Sequence, residues 1–429
     1  MWIRPNSQVM YLRNRTKEME KLKNFIPEFN SRISKEKETD MDFEQLYRND
    51  VFTSKKDLKM LYSYKKIDVV IFTGYAGCGH YAPARALALE YAKKGKNVVL
   101  IDPLFIYSEF TAKLNCRVWR LVSSHLNLLW RLTRKVISSK LGSDLAFSYI
   151  KGMQSKEVYD FIKSKKPQII LSTYPYTSCV LSTFSKYTKY LGIVVPDLSA
   201  IGFLNEVYHN TKNIHFLVSS YKVYEEAVKM YPYIKQNAGV LVMGNTPTTI
   251  SKAIVRTSNN FDDHILLFNP GSGLGIGKGF KALRCILKHW EGKIILLCGN
   301  NKRWLKKAKF YSFKFHNLIP LGYVDHDILH RFYETADVII GKGGGSTIVE
   351  MASIRGCKIV YSPIPGQEAA NTKRYVDLGC ITYAKNKRDL IKYLEDMPYT
   401  QSIYDLNDDT ISKFSTKYIV NTTLECIKK

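Results

Sequence analysis

The chain has few of the features that would place it quickly. Its eight cysteines, at 78, 116, 179, 285, 298, 357, 380 and 426, form no CxxC pair in 429 residues. That scatter leaves no zinc ribbon and no disulfide frame, so the expectation is reduced thiols, a cytoplasmic setting and no structural metal. No uninterrupted apolar run reaches transmembrane length, and Met1 to Pro5 does not open like a secretory signal peptide. Glycine is missing from residues 1–65. Acidic residues are scarce: 38 against 64 Lys and Arg, for a net charge of +26. A surplus of that size points to an anionic partner, whether phospholipid, nucleic acid or an acidic small molecule. The bland alternative is a compositional leaning toward Lys, Asn, Ile and Tyr as the source of part of it.

The length suits two domains with an extension, and 45% hydrophobic residues is ordinary for a globular protein. The densest stretch is Gly341 to Asn371, GKGGGSTIVEMASIRGCKIVYSPIPGQEAAN. The strand-like run Ala336–Ile340 enters four glycines among five residues, and a helical pattern starts at Ser346 with Glu350 one turn on. Glycines admit a ligand close to the backbone, and the N–H groups and positive dipole of a helix start attract phosphate oxygens. The spacing is neither GxxxxGK[ST], since Lys342 precedes the glycines, nor GxGxxG. A second strand, Lys358–Tyr361, leads to Pro363-Ile364-Pro365-Gly366-Gln367-Glu368, where proline and glycine turn the chain. Ligands of open parallel sheets lie beyond the carboxyl ends of the strands, so both loops face one crevice. Backbone for phosphate, a carboxylate for ribose and an amide–carboxylate pair for sugar hydroxyls are what a nucleotide-sugar requires.

This block resembles the donor-binding segment of the glycosyltransferases that include monogalactosyldiacylglycerol synthase, the processive diacylglycerol glucosyltransferases and the N-acetylglucosaminyltransferase that makes lipid II. Their pattern is a glycine-rich turn with Ser or Thr, a Glu one helical turn later, and then P-x-PGQE-x-x-N. The resemblance runs from about residue 67 to 395. It implies an α/β fold of GT-B type, with two Rossmann-like doubly wound domains facing a central cleft, a UDP-sugar donor, no cofactor, and inversion at the transferred carbon. It further implies that Ser272, Gly273, Gly344, Gly345, Ser346 and Thr347 hold the diphosphate and Glu350 the ribose. Gln367 and Glu368 would take the sugar hydroxyls, Asn371 closes the motif, and the turn at Tyr323 and Val324 would hold the base through its backbone.

In chain order, residues 1–65 read as a charged helical extension outside the resemblance. The acceptor-side domain spans 66–247 and opens with strand Ile67–Phe72, turn Gly74–His80, helix Ala82–Lys94 and strand Asn97–Asp102. Gly77-Cys78-Gly79-His80 is similar to the family's N-terminal signature. Further strands are expected at 167–174, 190–196 and 215–219. Asp197 stands just past one of them, where the family has a proposed catalytic aspartate; it suits a helix N-cap as well as a base. The His and Trp that usually follow are replaced by Ala200 to Glu206, which leaves the acceptor open. Either His80 or Asp197 takes the acceptor proton. The donor domain spans 248–395, and the helix within 396–429 is expected to pack back on the first domain. Two Asp-x-Asp triplets, Asp40-Met41-Asp42 and Asp325-His326-Asp327, do not look like metal–diphosphate sites, so no metal is assigned.

Residues 117–137, RVWRLVSSHLNLLWRLTRKVI, place Arg117, Arg120, Arg131, Arg134 and Lys135 in one helical sector, with Trp119, Trp130 and leucines filling the rest. Such a helix suits the interface of an anionic membrane, and equally a core helix with a solvated basic side. Trp119, Arg120, Trp130, Arg131 and Arg134 are the candidate membrane or acceptor contacts. The expected function is transfer of a sugar from a UDP-sugar to a lipid, diacylglycerol by resemblance, by a cytoplasmic protein peripheral on the cytoplasmic membrane face. The alternatives are a nucleic-acid acceptor, or a UDP-sugar epimerase of the same architecture. Sugar identity and oligomeric state are not legible.

Overall fold

The computed structural model describes residues 1–5, 43–75, 78–125, 140–195, 214–218, 221–230, 239–242, 264–271, 279–299, 301–324, 326–352, 354, 356–364, 367–397 and 415–428. The strands of the first half are β1 (Trp2–Ile3), β2 (Val51–Phe52), β3 (Val69–Phe72), β4 (Val98–Ile101), β5 (Ile169–Ser172), β6 (Tyr190–Val194), β7 (Ile214–Val218) and β8 (Gly239–Val242). They lie in the order β1-β4-β3-β5-β6-β7-β8, with β2 also on β4, and all pair in parallel. The second half has β9 (Ile265–Asn269), β10 (Lys293–Leu297), β11 (Leu318–Leu321), β12 (Val338–Gly341), β13 (Cys357–Tyr361) and β14 (Thr382–Ala384). Their order is β11-β10-β9-β12-β13-β14, again parallel.

The helices that bear on the site are α1 (Phe43–Asp50), α2 (Cys78–Lys93), α3 (Pro103–Tyr107), α4 (Glu109–His125), α5 (Lys140–Gly152), α6 (Gly279–His289), α7 (Lys302–Lys314), α8 (His326–Thr335), α9 (Gly345–Ala352), α10 (Gln367–Asp377) and α11 (Ser415–Cys426). Strands such as VVIF in β3 and VVLI in β4 are apolar throughout and buried at every residue. Parallel sheets covered by helices on both faces need runs of this kind, not alternation. Val70 and Phe72 pack with Phe161 and Phe184 on one face of the first sheet, while Val69 and Ile71 meet Leu87 and Ala88 of α2 on the other. The second sheet repeats the pattern, Leu267 and Ile339 on one side and Leu266 and Phe268 on the other.

Each sheet reverses direction once. β3 lies between β4 and β5, and β9 between β10 and β12. Such switch points open a crevice at the carboxyl ends of the strands. The loops that follow β3, β5, β9 and β12 therefore define where a ligand sits in each half. Helix α11 lies on α2: Ile419 and Val420 share a core with Leu87 and Ala88, and Tyr91 Oη and Thr423 Oγ1 share a buried hydrogen bond.

The structure differs from the expectation of a separate charged extension over residues 1–65. β1 and β2 both add to β4, and Tyr47 of α1 and Leu58 are buried in the first-domain core. The short apolar pairs Trp2-Ile3 and Val51-Phe52 are hidden among charged neighbours, so periodicity gives no strand signal there.

Candidate active site

On the acceptor side, β3 ends at Phe72 and α2 begins at Cys78, which puts His80 in the first helical turn. His80 Nδ1 lies 2.7 Å from the carbonyl oxygen of Thr173, just past β5, and Thr173 Oγ1 donates to the His80 carbonyl at 2.8 Å. A carbonyl only accepts, so Nδ1 carries the proton and, in the neutral ring, Nε2 holds the free lone pair. Tyr174 meets the imidazole edge to face, with centroids 5.1 Å apart. Burial lowers the pKa of His80, partly offset by the bond to Thr173. The ring is thus oriented through one nitrogen and kept neutral, the state in which the other nitrogen can take a proton.

A buried carboxylate fixes this loop from below. Asp102 N-caps α3, accepting from Phe105 N at 3.0 Å, and its other oxygen accepts from Tyr75 N at 2.9 Å and Tyr47 Oη at 2.8 Å. Its burial pushes its pKa up to about 6, against the opposing pull of those hydrogen bonds. Asp197 lies outside the described residues.

On the donor side, α9 follows directly from the glycine turn. Its backbone ladder starts with Ile348 N to Gly344 O at 2.8 Å, so the N–H groups of Gly345, Ser346 and Thr347 precede the ladder at the positive end of the helix. Ser346 Oγ is buried and has no hydrogen-bond partner among the described residues. Gly343 packs so tightly on α10 that a Cβ there would overlap Thr372 Oγ1 and come within 2.5 Å of the Glu368 carbonyl oxygen. Asn371, fully buried, donates from Nδ2 to the Gly343 carbonyl at 3.2 Å. It therefore supports the turn from beneath.

Glu368 has both oxygens engaged. Oε1 lies 2.8 Å from Lys342 Nζ, and Oε2 accepts from Ile364 N at 2.9 Å. A carboxylate oxygen has two lone pairs, so a sugar hydroxyl remains an admissible further donor. The Lys342 stem runs across the next loop, where Gly271 has φ +92° and a Cβ would come 2.6 Å from Lys342 Cε. Glu350 is buried and accepts from the Tyr333 hydroxyl, whose pKa is raised well above its ordinary value by burial and by the Glu350 charge. Asn269 Nδ2 also reaches the Tyr333 hydroxyl, at 2.7 Å, and Asn269 Oδ1 accepts from Gly271 N at 3.1 Å. Ser272 and Gly273 lie outside the described residues, as does the side chain of Gln367.

The two halves meet. Helices α2 and α9, each carrying a glycine turn at its start, are in contact. Tyr323 packs on the first-domain cluster that contains Tyr81 and Leu87, while Val324 packs on the second-domain core. His80, Gly344, Gly345, Ser346, Thr347 and Glu350 are brought to the loops at the two switch points or to the helices that start there, while Glu368 and Asn371 lie on α10, which follows β13 and packs on the glycine turn. Lys342, Asn269, Tyr333, Thr173 and Asp102 were not singled out by sequence reasoning. Lys342 carried a signal, a lone cation inside a glycine turn; the others are polar residues at strand ends or on a helix, indistinguishable from caps.

The expected membrane helix begins earlier than residue 117, as α4 from Glu109, and residues 126–139, with Trp130, Arg131 and Arg134, lie outside the described residues, as do the side chains of Trp119 and Arg120. On either side of that gap, Phe110, Leu114 and Val118 of α4 and Leu141, Leu145 and Tyr149 of α5 are exposed at intervals of four. Among the described residues no helix is long and apolar enough to cross a membrane.

Comparison with known proteins agrees with this arrangement. The Monogalactosyldiacylglycerol (MGDG) synthase family matches residues 80–231. The processive diacylglycerol beta-glucosyltransferase of Bacillus licheniformis is 22% identical over 357 residues, covering 77% of this chain and 86% of that protein. Its counterpart in Bacillus pumilus is 22% identical over 373 residues, covering 84% and 94%. The resemblance read from the motifs holds. The Methanocaldococcus jannaschii UDP-GlcNAc 2-epimerase, solved in complex with UDP-GlcNAc and UDP, superimposes with a TM-score of 0.50 at 15% identity, covering 84% of this chain and 99% of that one. At that identity the likeness concerns the fold, which is GT-B in both.

Proposed function

We propose that the protein is a hexosyltransferase that moves a sugar from a UDP-sugar to the hydroxyl of a membrane lipid, diacylglycerol in the first instance. The observation that carries this reading is the His80 imidazole, fixed through Nδ1 to Thr173 on a helix that abuts the glycine-turn helix α9. Nε2 takes the proton of the acceptor hydroxyl while its oxygen bonds to the anomeric carbon. The bond from that carbon to the diphosphate oxygen breaks, and UDP leaves with the electron pair. A single displacement of this kind inverts the carbon. In this reading the N-terminal end of α9 and the Lys342 ammonium meet the charge that develops on the leaving diphosphate, which supports a reaction that proceeds without a metal ion.

The donor roles in this reading are those the resemblance implies, and the described geometry at Gly344, Gly345, Ser346, Glu350 and Glu368 supports them. Gly344, Gly345, Ser346 and Thr347 take the diphosphate together with Ser272 and Gly273, Glu350 the ribose, Gln367 and Glu368 the sugar, and the backbone at Tyr323 and Val324 the base. Asn371 acts through the turn it supports. Asp197 is the second candidate for the acceptor side. The exposed apolar intervals on α4 and α5, with Arg117 beside them, support action at a cytoplasmic membrane surface.

The experiment is incubation of the purified protein with UDP-glucose, UDP-galactose or UDP-N-acetylglucosamine and with diacylglycerol in anionic liposomes, following UDP release and label in the lipid phase. Liposome-dependent release with labelled lipid, abolished in Glu350→Ala, is the expected result. Epimerised UDP-sugar without label in lipid would replace transfer with isomerisation.

A further inference from the structure

Helix α7, KRWLKKAKFYSFK, lies in a stretch without a single Asp or Glu between Glu291 and Asp325. Its inner side is conventional: Ala308 is fully buried, and Trp304, Leu305 and Tyr311 pack on the second-domain core. At about 100° per residue, Lys306, Phe310 and Phe313 fall on the opposite side, with Arg303 and Lys314 next to them. Phe310 and Phe313 are 75% and 81% exposed. Single exposed apolar residues need no explanation, but these two are neighbours at i and i+3 on one face, ringed by exposed cations. Neither ring has an aromatic partner among the described residues.

We propose that the outer face of α7 docks the donor domain on an anionic phospholipid membrane. Phe310 and Phe313 enter the boundary between headgroups and acyl chains, while Arg303, Lys306 and Lys314 pair with lipid phosphates. Two features select this occupant. The face presents only positive charge, which a zwitterionic or neutral surface would not favour, and its centre is apolar, for which duplex nucleic acid offers no complement. α7 packs beside β11, the edge strand of the second sheet, whereas the donor loops follow β9, β12 and β13. Docking there leaves the donor crevice uncovered. The inference rests on the reading that the acceptor is a membrane lipid, and it assigns to the donor domain a membrane contact of its own.

The test uses the full chain with two variants, Phe310→Ser/Phe313→Ser and Lys306→Glu/Lys314→Glu, in flotation with vesicles of phosphatidylcholine alone or with phosphatidylglycerol. Transfer to diacylglycerol dispersed in detergent is followed in parallel. Wild type should float only with the anionic vesicles, less so as salt rises, and each variant should lose about tenfold or more in vesicle affinity. Detergent-phase transfer and the melting temperature should stay at wild-type values. Vesicle binding unchanged in both variants overturns the proposal. So does duplex DNA displacing vesicles from wild type but not from the charge variant, or a dimer that the phenylalanine variant converts to monomer. Absence of detergent-phase transfer in wild type would sink the transferase reading while flotation still decides the docking face.

Discussion

The ammonium of Lys342 stands 2.8 Å from Glu368 Oε1, with the two side chains only 15% and 12% exposed. One partner belongs to the glycine turn after β12, the other to the first turn of α10, and the lysine stem crosses Gly271 in the loop after β9. A single side chain therefore couples three of the loops around the second switch point. Its charge is also the nearest cation to the start of α9 that the glycine turn itself supplies. The pair has two separable consequences, one for stability and one for turnover.

Lys342→Met leaves Glu368 as a nearly buried carboxylate without its counter-charge, and should destabilise the fold by roughly 3 kcal/mol. Lys342→Met/Glu368→Gln removes both charges and should recover most of that loss in denaturant melts. Turnover should stay low in the double variant, because the cation proposed to meet the leaving diphosphate is gone. Recovery of kcat along with stability would reduce Lys342 to a structural brace.

For His80, loss of the imidazole should lower kcat about 10²- to 10⁴-fold with little change in donor affinity. The wild-type pH profile has a calculable direction. Burial disfavours the imidazolium, so the pKa falls below its ordinary 6.5. The base is active only when unprotonated, so the rate should climb from acid pH and be level by neutrality. An acid limb centred above 6.5, or one that persists in His80→Asn, would remove the residue from that role.

Much of this arrangement was legible in the sequence. The apolar runs of β3, β9 and β12 and the glycines after them fix strand, turn and helix locally, because few backbones satisfy such a run followed by such a turn. Motif spacing then placed Ser346 at a helix start, Glu350 one turn into that helix and His80 in the turn before another, whereas the structure draws His80 into the first turn of α2. The partners of those residues were hidden. Thr173 lies 93 positions from His80 and Tyr333 lies 64 from Asn269. Their proximity is a product of strand order, which sets β5 beside β3 and β12 beside β9, and strand order is not written in any local pattern. The same holds for β1 and β2, two-residue strands whose only signal is the edge of β4 on which they add.

Asp102 gives a stability prediction with a definite sign. Burial raises its carboxyl from 3.8 to about 6. The folded state therefore holds a proton that the unfolded state releases, and the associated stability is fully present below 3.8 and lost as pH rises through about 6. The change across that window is roughly 3 kcal/mol. Asp102→Asn cannot titrate, and its amide must face donors on at least one side, so it should be less stable at acid pH. The difference from wild type should shrink between pH 4 and 6, within the window its two pKa values define. Melts at matched ionic strength would give this slope, and a constant difference would mean that the carboxyl does not titrate there.

Ser346 separates binding from folding most cleanly. Among the described residues its hydroxyl, buried in α9, has no hydrogen-bond partner, a condition that costs on the order of 1–3 kcal/mol. Removing the hydroxyl relieves that cost, and alanine is the better helix former. Ser346→Ala should therefore leave the melting temperature unchanged or raise it. If the hydroxyl waits for a diphosphate oxygen, the same substitution should weaken UDP binding about tenfold, measured by calorimetry, since a hydrogen bond to a charged group is worth about 1.5–3 kcal/mol. A buried polar group kept at a loss in the free state and recovered in the complex marks a ligand site. Unchanged UDP affinity with a raised melting temperature would make Ser346 a residue the fold merely tolerates, and would move the diphosphate away from the start of α9.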